Sequence, residues 1–428
     1  MKKIMIRITY AIAILAGVTF IWTGSKGSMS ATNPVTPVKT APAVADLTLP
    51  ANFVATVVAS NAGSLRHLVI NKKGDIYVKL SKLKDGKGIF RLRDTNEDGT
   101  IDEQVGFGEY PGTGIIIKNG YLYASSNNSV FRYQLNEKEE VIHPDQPEKI
   151  VYGLVATGRD ESKSIAVDNK SNLYVSVGSY NDACRQPNSG KGMTPCTLLD
   201  SVAGIWQFKN NKPNQTYGDG VRYATGLKNA VGINWNNVTN SLFVTVHGRG
   251  QFHDFYPQYY TPAQSAELPA ETMYELHNGS DGGWPYIYYD QLQQKKIMAP
   301  EYGGDGKKTG GKNAMDPVVA FPAHLAPNDL LFYKGNLFPE RYRHGAFIAF
   351  HSQSTIMHKG YFIAFVPFKN NKPSGKWEIF ADGFAGIDLN HPGGPVQHRP
   401  CGLAEGPDGA LYVADDLGGN VYRINFKK

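Results

Sequence analysis

The sequence has 428 residues and a formal net charge of +6, and it contains 46 glycines, 24 tyrosines and 20 phenylalanines. This length exceeds that of an ordinary compact domain unless the architecture is repetitive or barrel-like. The charge is mild, and no segment has the basic density of a nucleic-acid groove, which argues against nucleic-acid binding. Short aromatic and β-branched runs between Gly, Asn, Asp and Pro predict an all-β protein.

The N-terminal segment predicts export. Three basic residues within the first seven positions precede an apolar run over 8–22, and a polar stretch follows over 23–30. This is the pattern of a secretory signal peptide. The run is short for a membrane-spanning helix, which needs about 20 apolar residues. An uncleaved single membrane anchor stays open as an alternative, because no A-x-A cleavage site follows the run.

A linker is predicted after this segment. Residues 31–45 are rich in Pro, Thr, Ala and Val, which is typical of a linker between folded elements. We therefore expect a signal peptide or anchor over 1–30 and one folded domain over 46–428. The expected location is the periplasm, either free or anchored to the membrane facing it.

One short phrase recurs along the chain, a turn with Gly or Asn followed by an aromatic residue among aliphatic ones. Its copies occupy 73–78, 119–123, 171–175, 240–244, 345–349 and 408–413. A hairpin turn followed by an inner strand that is apolar on both faces is typical of a propeller blade, because neighbouring blades cover that strand. Six units near the roughly 40–50-residue blade period predict a six-bladed β-propeller with insertions in the fourth and fifth units. A β-sandwich or several small β domains would not repeat one phrase.

Three cysteines follow the export segment: Cys184, Cys196 and Cys401. An oxidising compartment permits a disulfide between Cys184 and Cys196, which would close the polar loop between them and leave Cys401 unpaired. Three free thiols are the alternative. No CxxCH haem-attachment motif occurs in the sequence, which argues against a fused c-type cytochrome.

The segment 94–102 predicts a calcium site. Oxygen-bearing side chains at alternate positions, a glycine and a further carboxylate suit Ca²⁺, which takes about six to eight oxygen ligands. The predicted ligands are the side chains of Asp94, Asn96, Asp98 and Asp102 and the carbonyl of Thr100. Val105 stands where an EF-hand has its bidentate glutamate, so we expect a structural loop within a β-hairpin. A surface turn without metal is the alternative.

Polar loops before the repeated strands form the candidate ligand site, because propellers usually bind ligands on such loops. The candidate residues are Arg66, Lys228, Asn229, His324 and Arg399. Equivalent loops of a repeat gather around one mouth, where these cations would surround a carboxylate-bearing ligand. Taken singly, each is as readily a loop residue that satisfies backbone groups. Hydrolase and nucleotide motifs are absent.

A series of short motifs resembles the glucose/sorbosone dehydrogenases that depend on pyrroloquinoline quinone (PQQ). The motifs lie at 226–232, 282–285, 323–327, 332–333, 338–339, 342–343, 351–352, 399–400 and 406–416. The resemblance begins near Leu47, and the ordered series is specific although each motif alone is weak. It implies a propeller that binds PQQ and Ca²⁺ on its top face and oxidises a sugar, a pyranose or a sugar aldehyde in the periplasm. A soluble or membrane acceptor would take the electrons.

In the family that this chain resembles, hydride passes from the carbinol carbon to the quinone, a histidine acts as general base and an arginine steadies the developing oxyanion. Where the family carries its histidine, this sequence has 158–165, so Asp160 is the predicted base. A carboxylate in that role needs a raised pKa or good positioning. Lys228 replaces an arginine, which keeps the charge and loses the bidentate fork.

The acidic calcium segment of the family is stretched here by an insertion over 251–265 that is rich in Tyr, Gln and Pro. Glu267 and Glu271 are the best matches for its metal ligands. The resemblance thus implies Asp160 and Lys228 as catalytic residues, with the cationic loop residues around the cofactor.

Two classes of function stay open. The first is a working PQQ-dependent sugar dehydrogenase with an altered base. The second is a propeller without catalysis that binds a carbohydrate or a cell-envelope partner. A third alternative, a Ca²⁺-dependent lactonase, is disfavoured because that chemistry needs a carboxylate-rich central metal site, whereas these loops are mostly cationic.

Overall fold

A computed structural model describes residues 42–250 and 252–427. The predicted signal peptide or anchor over 1–30 and most of the predicted linker lie outside the described residues. The last part of the linker contains a two-residue strand, Ala43–Val44, whose first residue pairs with Val57. Across the described ranges, we find no helix with the length and apolar character needed to span a membrane.

Six mainly antiparallel sheets of four or five strands, here called blades 1 to 6, make up the fold. Blade 1 contains Leu65–Ile70, Ile76–Lys84, Lys87–Arg93 and Glu103–Phe107. Blade 2 contains Ile115–Lys118, Tyr121–Ser125, Ser129–Gln134, Glu148–Tyr152 and Gln215–Thr216. Blade 3 contains Ile165–Val167, Asn172–Val177, Gly204–Lys209, Val221–Thr225 and Ser280–Asp281.

The remaining blades follow the same order from the innermost strand outward. Blade 4 contains Ala230–Asn236, Ser241–Val246, Glu271–Leu276 and Val319–Phe321. Blade 5 contains Pro327–Phe332, Ala346–Phe350, Ile363–Val366 and Glu378–Ala381. Blade 6 contains Pro400–Glu405, Leu411–Asp415, Val421–Phe426, Phe53–Ala59 and Ala43–Val44.

The six blades close into a ring. Innermost strands of consecutive blades pack side by side, and Leu65–Ile70 contacts Pro400–Glu405 to complete the circle. They enclose a channel of about 360 Å³ that is lined by residues of all six innermost strands. Blade 6 joins the two ends of the domain, because Phe53–Ala59 pairs antiparallel with Val421–Phe426. The prediction of an all-β, six-bladed β-propeller is confirmed.

Each copy of the repeated phrase forms the second strand of a blade, one strand outward from the channel. Neighbouring blades cover the second strand on both faces, and Asn172–Val177 is buried along its whole length. The innermost strand borders the channel instead, so three of the four residues of Ile115–Lys118 are only half-buried. The second strand of a blade is therefore the one with the more strongly apolar sequence.

Insertions between strands carry the remaining elements. Blade 4 holds two short helices, Phe252–Phe255 and Pro262–Glu267, and a hairpin of Ile287–Asp290 with Lys295–Met298. Two more short hairpins pair Gln353–Ser354 with Lys359–Gly360 and Phe368–Lys369 with Lys372–Pro373. Short 3₁₀ turns span Thr197–Asp200, Tyr217–Asp219, Pro300–Tyr302 and Glu340–Tyr342.

A disulfide joins Cys184 and Cys196, which is the pairing considered from the sequence and excludes the alternative of three free thiols. It closes the loop that precedes the third strand of blade 3. Cys401 is a free thiol, buried at the start of the innermost strand of blade 6. Burial raises the pKa of this thiol to about 12, so it stays protonated near neutral pH.

Candidate functional site

The loops that precede the innermost strands meet at one end of the channel, here called the upper face. A pocket of about 340 Å³, the upper pocket, opens there. It is lined by Arg66, Ser81, Gly112, Thr113, Asn127, Asp160, Glu161, Ser162, Asn229, Val231, His247, Asn328 and His351. Residues from blades 1 to 5 therefore share one pocket, and the structure brings Arg66, Asp160 and Asn229 together as the sequence predicted.

Asp160 lies at the centre of a charged cluster on one side of this pocket. Its Oδ2 lies 2.9 Å from Lys228 Nζ, and its Oδ1 accepts a hydrogen bond of 3.1 Å from Asn229 Nδ2. The backbone of Asp160 has a φ of 48°, in the left-handed region that aspartate tolerates better than most residues. The carboxylate is thus held by two groups from the next blade.

A second carboxylate completes this cluster. Asp182 Oδ1 lies 3.1 Å from Lys228 Nζ, and both oxygens of Asp182 accept hydrogen bonds of 2.8 Å from Arg159. Burial acts to raise the pKa of Asp182, but Lys228 and Arg159 outweigh it and the pKa lies below its usual value. The cluster of two cations and two carboxylates is therefore charge-balanced and fixed in place.

A histidine–aspartate pair lies across the pocket from that cluster. His351 Nε2 lies 2.7 Å from Asp416 Oδ2, and Arg399 Nε donates to Asp416 Oδ1 at 2.7 Å. Arg66 NH1 approaches Asp416 Oδ2 at 3.5 Å and its NH2 approaches Ser162 Oγ at 3.4 Å. Because a carboxylate only accepts, Nε2 of His351 carries the proton in this pair.

Electrostatics at this pair favour an ionised aspartate beside a neutral histidine. Burial acts against the charge of Asp416, yet His351 and Arg399 hold its pKa at about 2. Burial is also the main effect on His351 and lowers the pKa of that ring, although Asp416 opposes the shift. The imidazole is therefore able to accept a proton near neutral pH.

Cys401 Sγ lies close to His351 and Asp416, and their ligand atoms fall within 4.8 Å of one another. It is the one such group of His, Cys, Asp and Glu found among residues 42–250 and 252–427. Two guanidinium groups already contact Asp416, so an added metal cation would be repelled at this position. The arrangement fits an anionic ligand better than a metal ion.

Three buried polar atoms of the upper pocket lack a hydrogen-bond partner within the protein: Asn229 Oδ1, His247 Nε2 and Asn328 Oδ1. Burial, followed by the positive charges of Lys228 and Arg66, lowers the pKa of His247 to about 3, so this ring is neutral. Each unpartnered buried group costs about 1–3 kcal/mol. The side chains that carry these atoms line the upper pocket and give it a polar wall.

Other predicted site residues lie outside the lining of the upper pocket. His324 Nε2 lies 3.0 Å from the Ser265 carbonyl oxygen. Glu271 is buried and accepts the N–H groups of Gly248 at 2.8 Å and Ala326 at 3.4 Å, and burial raises its pKa to about 7. Glu267 is half-buried at the end of its helix. Their cofactor or metal roles stay predictions.

The calcium loop over 94–102 joins Lys87–Arg93 to Glu103–Phe107 in a hairpin of blade 1, where the sequence placed it. Asp94 accepts the N–H groups of Asp98 at 3.2 Å and Gly99 at 2.7 Å, and Asp102 accepts that of Thr95 at 2.9 Å. These hydrogen bonds shape a tight loop by themselves. Binding of Ca²⁺ to it stays a prediction.

Sequence reasoning missed His247, Asn328, His351 and Asp416 as site residues. A positional signal exists for three of them, since His247, His351 and Asp416 each follow directly after the second strand of a blade. That strand is the repeated phrase, and it ends at the upper face. The polar residues two or three positions beyond these copies of the phrase were therefore candidates that the sequence alone could identify.

Comparison with known proteins agrees with this architecture. The family model described as TrAA12-like matches residues 47–427. An uncharacterized protein of Borreliella burgdorferi is 25% identical over 327 residues, which cover 74% of this chain and 76% of that protein. A PQQ-dependent pyranose dehydrogenase of Coprinopsis cinerea is 27% identical over 287 residues, or 58% of this chain and 36% of that protein. The match thus spans about a third of the dehydrogenase's length.

Two solved structures show the same fold. The calcium structure of a Trichoderma reesei carbohydrate-active enzyme of family AA12 superimposes with a TM-score of 0.70 at 18% identity, covering 91% of this chain and 98% of that one. The holo form of the PQQ domain of Coprinopsis cinerea pyranose dehydrogenase gives a TM-score of 0.68 at 20% identity, covering 91% and 99%. At these identities the likeness concerns the fold.

Proposed function

This chain belongs to the TrAA12-like family, a group of propellers similar to PQQ-dependent sugar dehydrogenases, and from that premise we propose that it oxidises a sugar or sugar aldehyde with PQQ held in the upper pocket. One observation carries the proposal. The upper pocket combines a polar lining of amide, hydroxyl and imidazole side chains with the cationic side chains of Arg66 and, at its edge, Lys228 and Arg399.

The residues of the pocket fit a flat, carboxylate-bearing quinone. Arg66 makes only long contacts of 3.4–3.5 Å within the protein, so its guanidinium is available for a ligand carboxylate. Hydroxyl and amide side chains of Thr113, Asn127 and Ser162 line the same pocket and offer hydrogen bonds to the oxygens of such a ligand.

When bound, PQQ would supply the acceptor for the hydride that leaves the carbinol carbon of the sugar. The hydroxyl proton of the sugar needs a base, and His351 suits that role. Its Nε2 proton is committed to Asp416, so Nδ1 carries the lone pair that accepts the proton. Asp416 orients the ring and stabilises the positive charge that His351 gains, as a carboxylate does in other histidine–aspartate pairs.

Two other groups of this pocket are less suited to act as the base. His247 has a pKa of about 3, because burial and nearby cations oppose a positive charge on the ring. Both carboxylate oxygens of Asp160, the base predicted from the sequence, are already in contact with Lys228 and Asn229. We assign to Asp160 the role of fixing Lys228, whose charge would stabilise negative charge that develops on the cofactor.

We also propose that the protein works outside the cytoplasm and uses Ca²⁺. The Cys184–Cys196 disulfide supports an oxidising compartment, and the exported N-terminus predicted from the sequence agrees with it. The loop over 94–102 supports a structural calcium ion, while Glu267 and Glu271 stay the candidates for a calcium ion that serves the cofactor. The electron acceptor would be a soluble or membrane partner.

A reconstitution experiment tests the proposal. Purified protein is titrated with PQQ in the presence and absence of Ca²⁺, cofactor absorbance is followed, and dye reduction is then measured with a panel of aldoses. We expect saturable PQQ binding and sugar-dependent dye reduction. Failure to bind PQQ would overturn the proposal and favour a propeller that binds carbohydrate without catalysis.

A further inference from the structure

A second cleft on the upper side of the molecule lies next to the charged cluster of Asp160, Lys228 and Asp182. It has a volume of about 510 Å³ and is lined by Asn181, Arg185, Gln186, Pro187, Asn188, Ser189, Gly190 and Phe255. Asn181 precedes Asp182 in the chain, and Asp182 contacts Lys228 at 3.1 Å. We call this cleft the side cleft. One of its lining residues is the direct chain neighbour of Asp182, which belongs to the charged cluster beside the upper pocket.

The side cleft combines an aromatic wall with a polar floor. The ring of Phe255 is 44% exposed, a large fraction for a phenylalanine. The guanidinium carbon of Arg185 lies 3.8 Å from the ring centroid and covers one face, which leaves the other face accessible. The amide side chains of Asn181, Gln186 and Asn188 and the hydroxyl of Ser189 line the same space.

The walls of the side cleft are held rigidly. Cys184, next to Arg185, forms the disulfide with Cys196. Arg185 Nε donates to Glu301 Oε1 at 2.9 Å, and Arg249 NH1 donates to the same carboxylate at 2.6 Å. Tyr256 donates its hydroxyl to the Gly190 carbonyl oxygen, so the loop of the disulfide is tied to the helix that carries Phe255. A wall fixed in this way is preorganised for a ligand.

We propose that the side cleft is a carbohydrate subsite that binds a second sugar ring of an oligosaccharide whose terminal ring enters the upper pocket. Sugar rings present C–H groups on their faces and hydroxyl groups around their edges. An exposed aromatic face beside amide groups matches that chemistry, and the volume lies within the roughly 300–1,000 Å³ range of ligand pockets. The identity of the substrate class rests on the proposed function, since it assumes that the upper pocket oxidises a sugar.

Glycan binding to the full chain tests the subsite. Calorimetric titrations use glucose, a β-1,4-linked glucose tetrasaccharide and an α-1,4-linked one, each with and without PQQ. We expect at least one tetrasaccharide to bind about tenfold more tightly than glucose, which is near the upper end of what one aromatic contact contributes. Equal affinities for glucose and both tetrasaccharides would overturn the proposal.

Substitutions at Phe255 locate the effect. Phe255→Ala should weaken tetrasaccharide binding about tenfold and leave glucose binding unchanged, whereas Phe255→Trp should preserve it, because it retains an aromatic face. Leu292→Ala is the matched control, since Leu292 is 57% exposed on a separate hairpin turn. Thermal unfolding of each variant confirms that it folds. Unchanged tetrasaccharide binding in folded Phe255→Ala would overturn the proposal.

These results separate the subsite from the proposed function. Tetrasaccharide binding that depends on Phe255 but occurs in a protein unable to bind PQQ supports the subsite and overturns the oxidation chemistry. Dye reduction with glucose, combined with no preference for the tetrasaccharides, supports the oxidation chemistry and overturns the subsite.

Discussion

Asp160 Oδ2 and Lys228 Nζ lie 2.9 Å apart and join the loop before blade 3 to the loop before blade 4. The sequence predicted both residues as catalytic but could not say that they neutralise one another. Their pairing makes the carboxylate a fixed partner of a cation, and it leaves His351 as the better base of the upper pocket. Four predictions follow from this arrangement and from the buried groups around it.

The first prediction concerns the base. His351→Asn should reduce kcat about 100-fold, because general base catalysis contributes roughly that factor or more, while PQQ affinity changes little. Asp160→Asn should reduce kcat by a smaller factor. Steady-state dye reduction and PQQ titration measure both effects. His391→Asn, at a side chain that is 89% exposed, is the control. A larger loss of kcat in Asp160→Asn than in His351→Asn would restore the assignment made from the sequence.

The second prediction concerns Lys228. Lys228→Met would leave Asp160 and Asp182 without their shared cation, and removing one partner of a buried ion pair costs about 3–5 kcal/mol. The side chain of Lys228 is 9% exposed, so this range applies with little solvent screening. Urea unfolding measures the loss. Lys87→Met, which breaks the exposed pair with Glu109, should change stability by less than about 1 kcal/mol. Similar losses in both variants would contradict the prediction.

The third prediction concerns the buried carboxyl of Glu271 in calcium-free buffer. Burial raises its pKa from 4.5 in the unfolded chain to about 7 in the folded protein, so folding favours the protonated form. The stabilisation is complete below about pH 4.5 and is lost as the pH rises through 7. The change amounts to about 3 kcal/mol. Glu271→Gln should flatten stability across this window in unfolding experiments.

Calcium gives a further readout of the same residue. If Glu271 ligates Ca²⁺, added Ca²⁺ should stabilise the ionised form and remove the loss of stability between about pH 4.5 and 7 in the wild-type protein. If Glu271 only accepts the N–H groups of Gly248 and Ala326, Ca²⁺ should leave that pH profile unchanged. Comparing the pH profiles of stability with and without Ca²⁺ shows whether Glu271 is a metal ligand, as the sequence predicted.

The fourth prediction concerns the loop over 94–102. Saturating Ca²⁺ should raise the thermal unfolding temperature, and at 100 times the dissociation constant the stabilisation is about 2.7 kcal/mol. Asp98→Ala should remove the part of the Ca²⁺ stabilisation that this loop contributes and so lower the rise in unfolding temperature, whereas Asp85→Ala, in a neighbouring hairpin turn of blade 1, should leave the rise unchanged. Unfolding temperatures that do not respond to Ca²⁺ in the wild-type protein would mean that the loop is a surface turn.

More of the fold than of the candidate site could be predicted from the sequence. Six copies of one phrase give the number of blades, because every blade needs a second strand that is buried on both faces. The phrase could not show which strand lines the channel, since burial between blades and burial at the channel both select apolar residues. Arg66, Asp160 and Asn229 were found because each lies at or before the start of an innermost strand, and His351 and Asp416 were missed because they follow a second strand.

Local residue patterns were sufficient to predict the all-β class, the blade count and the hairpin at 94–102. The ring closure through Phe53–Ala59 and Val421–Phe426, the Cys184–Cys196 bridge and the pairings across the upper pocket depend on contacts between distant parts of the chain. His351 and Asp416 lie 65 positions apart, and Asp160 and Lys228 lie 68 apart. These residues are in contact because the ring brings the ends of separate blades close to one axis. A local residue pattern cannot predict which distant residues meet there.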